Sequence, residues 1–329
     1  MQARVACLSP FEVGTVRAMF RGRHRVDVVL VPPPPAQPEV AAACADADLV
    51  IADRRHKHRI DRIVLEQMRR CRLIQQAAVG FDSIDHRAAA EHGIPVANAA
   101  GYNKESVADW TVMAMIALIR NSFRLDRQLR AGHWHAEDLL RGPETMGREL
   151  GALTVGIVGM GNIGSAVARR LAAFGSRILF ADAVPRTIAN AVQVDLDTLL
   201  RESDIACVHT PLDVDTKALM GKQALSRMKR GTYVVNAARG AIVDEAALVD
   251  ALLSGQLAGA ALDVFETEPL PADSPLRGLE NVVLAPHRAG ATLEADARLI
   301  DVVGDNLMRV LDGKPPLNVV NGVTAASVR

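Results

Sequence analysis

The sequence predicts an α/β protein of two doubly wound, parallel-sheet domains. The chain has 329 residues, too many for one small core and about right for two domains. Short apolar runs alternate with helical stretches over residues 3–98, and the same alternation resumes from residue 151. A glycine-rich turn between a strand and a helix starts only near residue 155, so something folded precedes it. Alternation of this kind predicts parallel sheets with helices on both faces.

The N-terminal half predicts strands at its apolar runs, which cover 4–8, 26–31, 49–52, 73–79 and 95–98. The run Pro32–Pro35 is a stiff connector that cannot lie inside a strand. Residues 106–130 predict one long helix between the two α/β units, with Ser106 and Asp109 as a capping box. An irregular arm is expected to follow, over 131–150.

The C-terminal half predicts six further strands, which cover 153–159, 177–181, 204–208, 232–236, 259–264 and 282–285. Helices are expected between them. Residues 292–312 predict a second long helix, and the tail GKPPLNVVN follows it.

Composition excludes several classes of function. Lys and Arg total 38, as do Asp and Glu, so neither nucleic acid nor an anionic membrane is expected as a partner. The four cysteines lie far apart without ligand-like spacing, so we expect no disulfide and no metal site. Free thiols, the lack of a signal-peptide h-region and the lack of a membrane-spanning run together predict a cytoplasmic protein.

The segment 155–164, VGIVGMGNIG, is a G-x-G-x-x-G turn between a buried strand and a helix. Gly159 allows the tight turn, Gly161 lets backbone approach a pyrophosphate, and Gly164 lets the helix pack on the strand. The free N–H groups of Asn162 and Ile163 would face the phosphates. In this context the turn predicts dinucleotide binding rather than an ordinary βα turn.

A carboxylate follows the next predicted strand, at Asp182, eighteen residues after Gly164. It could be a helix cap or a surface acid, but the upstream turn favours binding of the two ribose hydroxyls. A carboxylate repels a 2′-phosphate, so NAD is expected as cofactor and NADP is less favoured. Arg186 lies close by and weakens that preference.

Four polar residues stand at or just beyond predicted strand ends in the C-terminal half: Arg239, Asp263, Glu268 and His287. Ligands of open α/β sheets bind beyond the carboxyl ends of strands. Hydride transfer from a 2-hydroxy acid needs a base for the hydroxyl proton, and His287 suits that role. Glu268 would orient the ring and stabilise its protonated form. Arg239 could grip a substrate carboxylate or polarise its carbonyl.

The same segments resemble the D-isomer-specific 2-hydroxyacid dehydrogenase family over nearly the whole chain. Beside the glycine-rich turn, the resemblance lies in the segments AVGFDSID (78–85), GIPVANAAGYNKESVAD (93–109), HTPL (209–212), NAARGAIVDEAAL (236–248), ALDVFETEP (261–269), APHRAGAT (285–292) and GKPPLNVVN (313–321). It implies a Rossmann-type cofactor domain, residues 100–289, inserted into a flavodoxin-like substrate domain, residues 1–99 and 290–329. The two long helices would be the crossovers.

The resemblance also implies roles for individual residues. Arg239, Glu268 and His287 would be catalytic, Asp263 would lie beside the nicotinamide amide, and the backbone of Val79 and Gly80 would meet the substrate carboxylate. Further cofactor contacts are implied for motif residues, namely His209, Thr210, Pro211, Ala237, Ala238 and Gly290, with Arg239 and His287 near the same ligand. A homodimer formed through the cofactor domains is implied as well.

The chain departs from the family at one motif position. Many members carry Ile after the catalytic histidine, where this chain has Arg288. Members with a regulatory extension run well past this length, so no effector domain is expected.

Several polar residues are expected to have structural roles rather than roles in catalysis or binding. His209 could be a core histidine, although its place in HTPL favours a wall of the cofactor site. We interpret His56, His58, His133 and His135 as surface or interface residues. The basic run Arg54–Arg59 is by default a solvated face, with Arg54 or Arg55 as an alternative site for a second anionic group of the substrate.

The leading functional hypothesis is an NAD-dependent dehydrogenase of D-2-hydroxy acids, of glyoxylate, hydroxypyruvate or phosphoglycerate type. The alternative from another class is a non-enzymatic NAD(H)-sensing regulator of the corepressor type with the same fold. A related dehydrogenase of formate or phosphite is a third possibility. The sequence does not rank the 2-keto acids.

Overall fold

The computed structural model describes residues 2–31, 36–134 and 146–324. The chain divides into two compact units, one made of Met1–Asn103 with Thr292–Arg329 and the other of Lys104–Ala291. The second unit is therefore inserted, in chain order, between the two pieces of the first. Each unit holds one parallel sheet with helices, which confirms the predicted fold class.

The strands and helices follow each other in alternation along most of the chain. In chain order the strands are β1 (Ala3–Cys7), β2 (Val26–Leu30), β3 (Leu49–Ala52), β4 (Leu73–Gln76), β5 (Val96–Ala97), β6 (Thr154–Val158), β7 (Arg177–Ala181), β8 (Ala191–Gln193), β9 (Ile205–Val208), β10 (Thr232–Asn236), β11 (Leu257–Leu262) and β12 (Val282–Leu284). The helices are α1 (Val13–Ala18), α2 (Gln37–Ala45), α3 (Arg62–Gln67), α4 (His86–Glu91), α5 (Lys104–Ile119), α6 (Ser122–Arg130), α7 (Asn162–Phe174), α8 (Leu196–Glu202), α9 (Lys222–Arg227), α10 (Glu245–Leu253) and α11 (Leu293–Leu311).

The first unit is built on a five-stranded sheet in the order β2-β1-β3-β4-β5, with every pair parallel. Successive side chains of a strand point to opposite faces. Val5 of β1 packs in a core with α11, whereas Ala6 packs in a second core with α2 and α3. Both faces of the sheet are buried, which explains why its strands are continuous apolar runs rather than alternating ones.

The second unit is built on a seven-stranded parallel sheet in the order β12-β11-β10-β9-β6-β7-β8. The chain starts in the middle at β6, runs outward to β8, and returns to β9 on the other side of β6. The strand order therefore reverses between β6 and β9, and open sheets of this kind bind ligands beyond the carboxyl ends of the strands at that point. The glycine-rich turn follows β6 directly.

Three details of the second unit differ from the sequence prediction. The helix predicted over 106–130 is two helices, α5 and α6, because Asn121 adopts the left-handed conformation with φ of 51° and ends the first. Ser106 lies inside α5 and is buried, so the predicted capping box is wrong. Strand β8 is an addition to the predicted strands, since its three residues at the sheet edge carry no apolar run.

The ends of the predicted segments also need correction. Strand β4 stops at Gln76 rather than at residue 79. Pro32–Pro35 and residues 135–145, which hold His135 and most of the predicted arm, lie outside the described residues. Trp134, the last described residue before that gap, is 79% exposed.

The four cysteines are free and buried in the structure. Within the described ranges, no helix combines the length and apolar character needed to cross a bilayer.

Candidate active site

The glycine-rich turn of the second unit is shaped by close approach of backbone to backbone. Gly159 has φ of 94°, and a Cβ there would lie 2.7 Å from the backbone nitrogen of Thr210. A Cβ at Gly164 would collide with the carbonyl oxygen of Gly159. At Gly161, in contrast, a Cβ would meet no protein atom within 4 Å. The space beside Gly161 is therefore open, and the turn fits the phosphates of a dinucleotide at the start of α7.

Asp182 lies directly against this turn, at the end of β7. One carboxylate oxygen accepts a hydrogen bond from the backbone N–H of Met160 at 2.8 Å, and the other accepts one from Val184 at 2.9 Å. Arg186 pairs with the same carboxylate at 3.3 Å. Burial raises the pKa of Asp182, but the two N–H donors and Arg186 outweigh it, so the net pKa is lowered. Asp182 is therefore an ionised group that lies against the turn, and it does not cap a helix.

His209 follows β9 and lies beside the same turn. Both ring nitrogens are buried and have no hydrogen-bond partner among the described residues. Burial lowers the pKa of His209 to about 4, so the ring is neutral near pH 7. A buried imidazole without partners is costly, and a polar group of a bound cofactor would offset that cost. The position and burial of His209 therefore fit a residue that lines the cofactor site.

His287 and Glu268 meet at the carboxyl end of the sheet. Nδ1 of His287 lies 2.8 Å from Oε2 of Glu268, with the side chains 46% and 37% exposed. Burial raises the pKa of Glu268, but hydrogen bonding and charge from His287, with smaller contributions from the Phe265 N–H and Arg239, lower it overall. An ionised Glu268 accepts the Nδ1 proton, and this leaves Nε2 as the nitrogen that can exchange a proton with a substrate.

The loop that carries His287 is held by Asp263. His287 has φ of 55°, and its backbone N–H donates to the carbonyl of Asp263 at 2.8 Å. The next two N–H groups, from Arg288 and Ala289, donate to the two oxygens of the Asp263 carboxylate at 2.7 and 2.8 Å. Desolvation raises the pKa of the buried Asp263 carboxyl. The hydrogen bonds of Asp263 thus fix the backbone position of the histidine.

Arg239 follows β10 and is positioned by its own neighbours. The side chain of Asn236, which is 1% exposed, donates to the carbonyl of Arg239 at 3.0 Å and accepts from the N–H of Ala238 at 3.0 Å. A Cβ at Gly240 would collide with the backbone of Phe265, so the Arg239 loop packs directly on the loop that leads to Glu268. Sequence reasoning missed Asn236 as a positioning residue, although it stands in the NAARG motif.

The second unit therefore brings the predicted strand-end residues into one neighbourhood. An imidazole with an ionised carboxylate partner can donate and accept a proton, and the Arg239 guanidinium supplies a cation near the pair. The other cofactor residues predicted from the motifs also follow strand ends of this sheet, namely Thr210, Pro211, Ala237, Ala238 and Gly290. Val79 and Gly80 belong to the first unit, where the carbonyl of Val79 accepts a hydrogen bond from Asn98 at 2.7 Å.

The interpretation of His58 as a surface residue is wrong. Its side chain is fully buried, and Nδ1 lies 2.9 Å from a carboxylate oxygen of Asp53, itself fully buried. That carboxylate also accepts the backbone N–H groups of Arg55 and Lys57, each at 3.0 Å. The basic run folds back over Asp53, which the sequence pattern did not reveal.

Arg54 of the same run is not a freely solvated cation. Its guanidinium pairs with Asp296 at 2.6 Å, and its side chain is 26% exposed. Both residues belong to the first unit.

The chain is similar to one protein family and to several named reductases and dehydrogenases. The family model described as D-isomer specific 2-hydroxyacid dehydrogenase, NAD binding domain, matches residues 112–289. A glyoxylate reductase of Thermofilum pendens is 40% identical over 296 residues, which cover 88% of this chain and 85% of that protein. A glyoxylate reductase of Aeropyrum pernix is 44% identical over 268 residues, 80% of each chain. A D-3-phosphoglycerate dehydrogenase of Archaeoglobus fulgidus is 39% identical over 81% of this chain but only 50% of its own length.

Solved structures show the same fold. A glyoxylate reductase from Paecilomyes thermophila has a TM-score of 0.86 and 27% identity, and covers 97% of this chain and 98% of its own. The NAD complex of a formate dehydrogenase from Staphylococcus aureus has a TM-score of 0.84 and 32% identity, with 96% and 98% covered. An acyclic imino acid reductase, solved with NADPH and D-Arg, has a TM-score of 0.87 and 26% identity, with 96% and 99% covered.

Proposed function

Because the chain belongs to the D-isomer specific 2-hydroxyacid dehydrogenase family and is an NAD-dependent oxidoreductase of hydroxy acids, we propose that it interconverts a small D-2-hydroxy acid and its 2-keto acid. The candidate substrates are of glyoxylate, hydroxypyruvate or phosphoglycerate type. The observation that supports this most directly is the 2.8 Å contact of His287 with Glu268, in the same unit as the glycine-rich turn.

The bound nicotinamide would supply the hydride that reduces C2 of the keto acid. In that direction the protonated His287 donates the Nε2 proton to the keto oxygen, which becomes the hydroxyl group. Glu268 holds the ring through Nδ1 and stabilises its positive charge. In the oxidation direction the neutral ring accepts the hydroxyl proton at the same nitrogen.

Arg239 is proposed to hold the substrate, through its carboxylate or its keto oxygen. A guanidinium presents two parallel N–H donors to a carboxylate, which a lysine does not. The loop of Arg239 is fixed by Asn236 and by its packing on Phe265, so the cation is preorganised. The backbone of Val79 and Gly80 is proposed as a further contact of the substrate carboxylate.

The cofactor is proposed to be NAD in preference to NADP. The ionised Asp182 suits the two ribose hydroxyls and repels a 2′-phosphate. The glycine-rich turn would hold the pyrophosphate, with His209, Thr210, Pro211, Ala237, Ala238, Asp263 and Gly290 as the remaining proposed contacts. Arg186 partly neutralises Asp182, so the preference need not be strict.

We also propose a homodimer that forms through the second unit. Four large apolar side chains of this unit are exposed in and after α5 and α6, with Met113 42%, Phe123 43%, Leu129 55% and Met146 56% exposed. Helix α6 has no buried residue, although α5 is largely buried within its own unit. Light scattering should give twice the chain mass of 35.2 kDa, and a monomer at micromolar concentration would contradict the proposal.

A cytoplasmic location is proposed as well, because the buried cysteines are free thiols, which suit a reducing compartment. The regulator alternative gains no support from the relatives described above, which are named as reductases and dehydrogenases.

The test is steady-state oxidation of NADH and NADPH with glyoxylate, hydroxypyruvate, pyruvate and phosphohydroxypyruvate. Turnover with at least one of them, and a higher kcat/KM with NADH than with NADPH, is expected. Binding of NADH without turnover of any of the four acids would contradict the proposed reaction.

A further inference from the structure

The loop that follows β12 carries a second exposed residue beside the proposed acid–base histidine. His287 and Arg288 are both exposed, whereas the next residue, Ala289, is buried. The loop therefore leaves two consecutive side chains open to solvent at the carboxyl end of the second unit's sheet. Ligands of open α/β sheets bind beyond this end of the strands. Arg288 thus stands next to the residue that is proposed to exchange a proton with the substrate.

The backbone of Arg288 is held at both of its polar groups. Its N–H donates to a carboxylate oxygen of Asp263 at 2.7 Å, and its carbonyl accepts the N–H of Ala291 at 2.9 Å. Asp263 is 1% exposed, so the anchor lies inside the unit. The side chain of Arg288 therefore extends from a fixed point beside His287, and such preorganisation favours binding of a ligand.

The guanidinium of Arg288 carries a charge that the neighbouring carboxylates do not offset. Asp263 uses both of its carboxylate oxygens on backbone N–H groups, and Glu268 pairs with His287. In the residues that the structure describes, no hydrogen bond or ion pair joins the Arg288 side chain to another group. An anionic group that reaches Arg288 therefore gains a charge-assisted contact without breaking one within the protein.

The other two cations considered for substrate binding are placed differently. Arg239 is assigned above to the carboxylate or the keto oxygen of the substrate. Arg54 belongs to the first unit, and its guanidinium is paired with Asp296 at 2.6 Å. Arg288 is therefore a cation that remains available for a further anionic group.

We propose that Arg288 determines specificity for 2-keto acids that carry a second anionic group, either a carboxylate or a phosphate. The proposal rests on the reaction proposed above and names its substrate class. Arg239 holds the keto-acid end of the substrate, His287 exchanges the proton with the oxygen on C2, and Arg288 binds the second anionic group. Carboxylate and phosphate share this chemistry, because both present oxygen acceptors that match the planar guanidinium.

The first measurement is NADH-dependent reduction of pyruvate, which carries one anionic group, and of oxaloacetate, 2-oxoglutarate and phosphohydroxypyruvate, which carry two. Selectivity is the ratio of kcat/KM for each of these three acids to kcat/KM for pyruvate. Arg288→Met keeps an aliphatic side chain and removes the charge, whereas Arg288→Lys retains the charge. Lys222→Met removes an exposed lysine of α9 in the same unit and is the matched control. Loss of one charge-assisted contact should lower the selectivity about tenfold.

The second measurement is equilibrium binding of the same acids to the protein with NAD⁺, by isothermal titration calorimetry. The oxidised nicotinamide has no hydride to transfer, so a keto acid binds without being reduced. The ratio of Kd for each of the three acids to Kd for pyruvate should rise about tenfold in Arg288→Met. This measurement does not depend on turnover.

The result expected is a selectivity that falls for at least one of the three acids in Arg288→Met and is retained in Arg288→Lys and Lys222→Met. A fall confined to phosphohydroxypyruvate assigns the site to a phosphate, and a fall confined to oxaloacetate or 2-oxoglutarate assigns it to a carboxylate. Unchanged ratios for all three acids in both measurements would overturn the role of Arg288, even if the wild type reduces pyruvate. A wild type that binds one of these acids through Arg288 but reduces none of them contradicts the proposed reaction instead.

Discussion

The contact between His287 and Glu268 predicts how strongly a substitution of Glu268 should change the activity. Glu268→Gln keeps a hydrogen-bond acceptor near Nδ1 but removes the negative charge that stabilises the protonated ring. A hydrogen bond to a charged group is worth about 1.5–3 kcal/mol. The two side chains are 46% and 37% exposed, so screening favours the lower end of that range. About 1.5 kcal/mol corresponds to roughly a tenfold change in rate.

Reduction and oxidation of the substrate need different protonation states of His287. Reduction of the keto acid needs the protonated ring, so kcat/KM for reduction should fall about tenfold in Glu268→Gln. The lowered pKa of Glu268 keeps the wild-type pair intact through mildly acidic pH, and the pair is lost only as pH falls through that lowered value.

The assay is kcat/KM for NADH-dependent reduction as a function of pH. Glu266→Gln is the matched control, because Glu266 is exposed and its carboxylate accepts the backbone N–H of Glu245 rather than a histidine. The control should retain the wild-type profile. A Glu268→Gln profile that coincides with that of the wild type would show that this carboxylate does not stabilise the acid form of His287.

The remaining predictions concern the base, the cofactor and the basic run. His287→Gln should lower kcat about 100-fold or more with little change in the Kd of NADH, and near-wild-type kcat would exclude it as the acid–base group. Asp182→Ser should narrow the ratio of kcat/KM for NADH over NADPH, and a wild type that prefers NADPH would contradict the premise. Because Arg54 is already paired with Asp296, the double variant Arg54→Ala/Arg55→Ala should change KM for glyoxylate and for phosphohydroxypyruvate equally. A rise in KM for phosphohydroxypyruvate alone would instead show that the basic run determines substrate specificity.

The sequence predicted those parts of the site that depend on strand ends. A parallel sheet places the carboxyl ends of its strands at one edge, so Arg239, Asp263 and His287 can be grouped from their positions in the sequence alone. The glycine-rich turn and Asp182 are predictable for the same reason, because turn and acid follow neighbouring strands β6 and β7.

Other features depend on tertiary contacts that no local sequence pattern indicates. The hydrogen bonds from Asn236 to the Arg239 loop and from the 288–289 loop to Asp263 join backbone groups to side chains, and nothing in residue spacing indicates them. The burial of His58 results from a loop that folds back on Asp53. Asn121 ends α5 through its own backbone conformation, inside a segment whose apolar periodicity continues past it.

We propose that this chain directs hydride from a nicotinamide to C2 of a 2-keto acid while His287 supplies the proton. The most direct measurement is mass spectrometry and chiral analysis of the product formed from pyruvate or hydroxypyruvate with NADH that carries deuterium at the transferred position. The expected product is a D-2-hydroxy acid with one deuterium at C2, formed by the wild type and nearly absent with His287→Gln. A product of L configuration, or one without deuterium at C2, would contradict it.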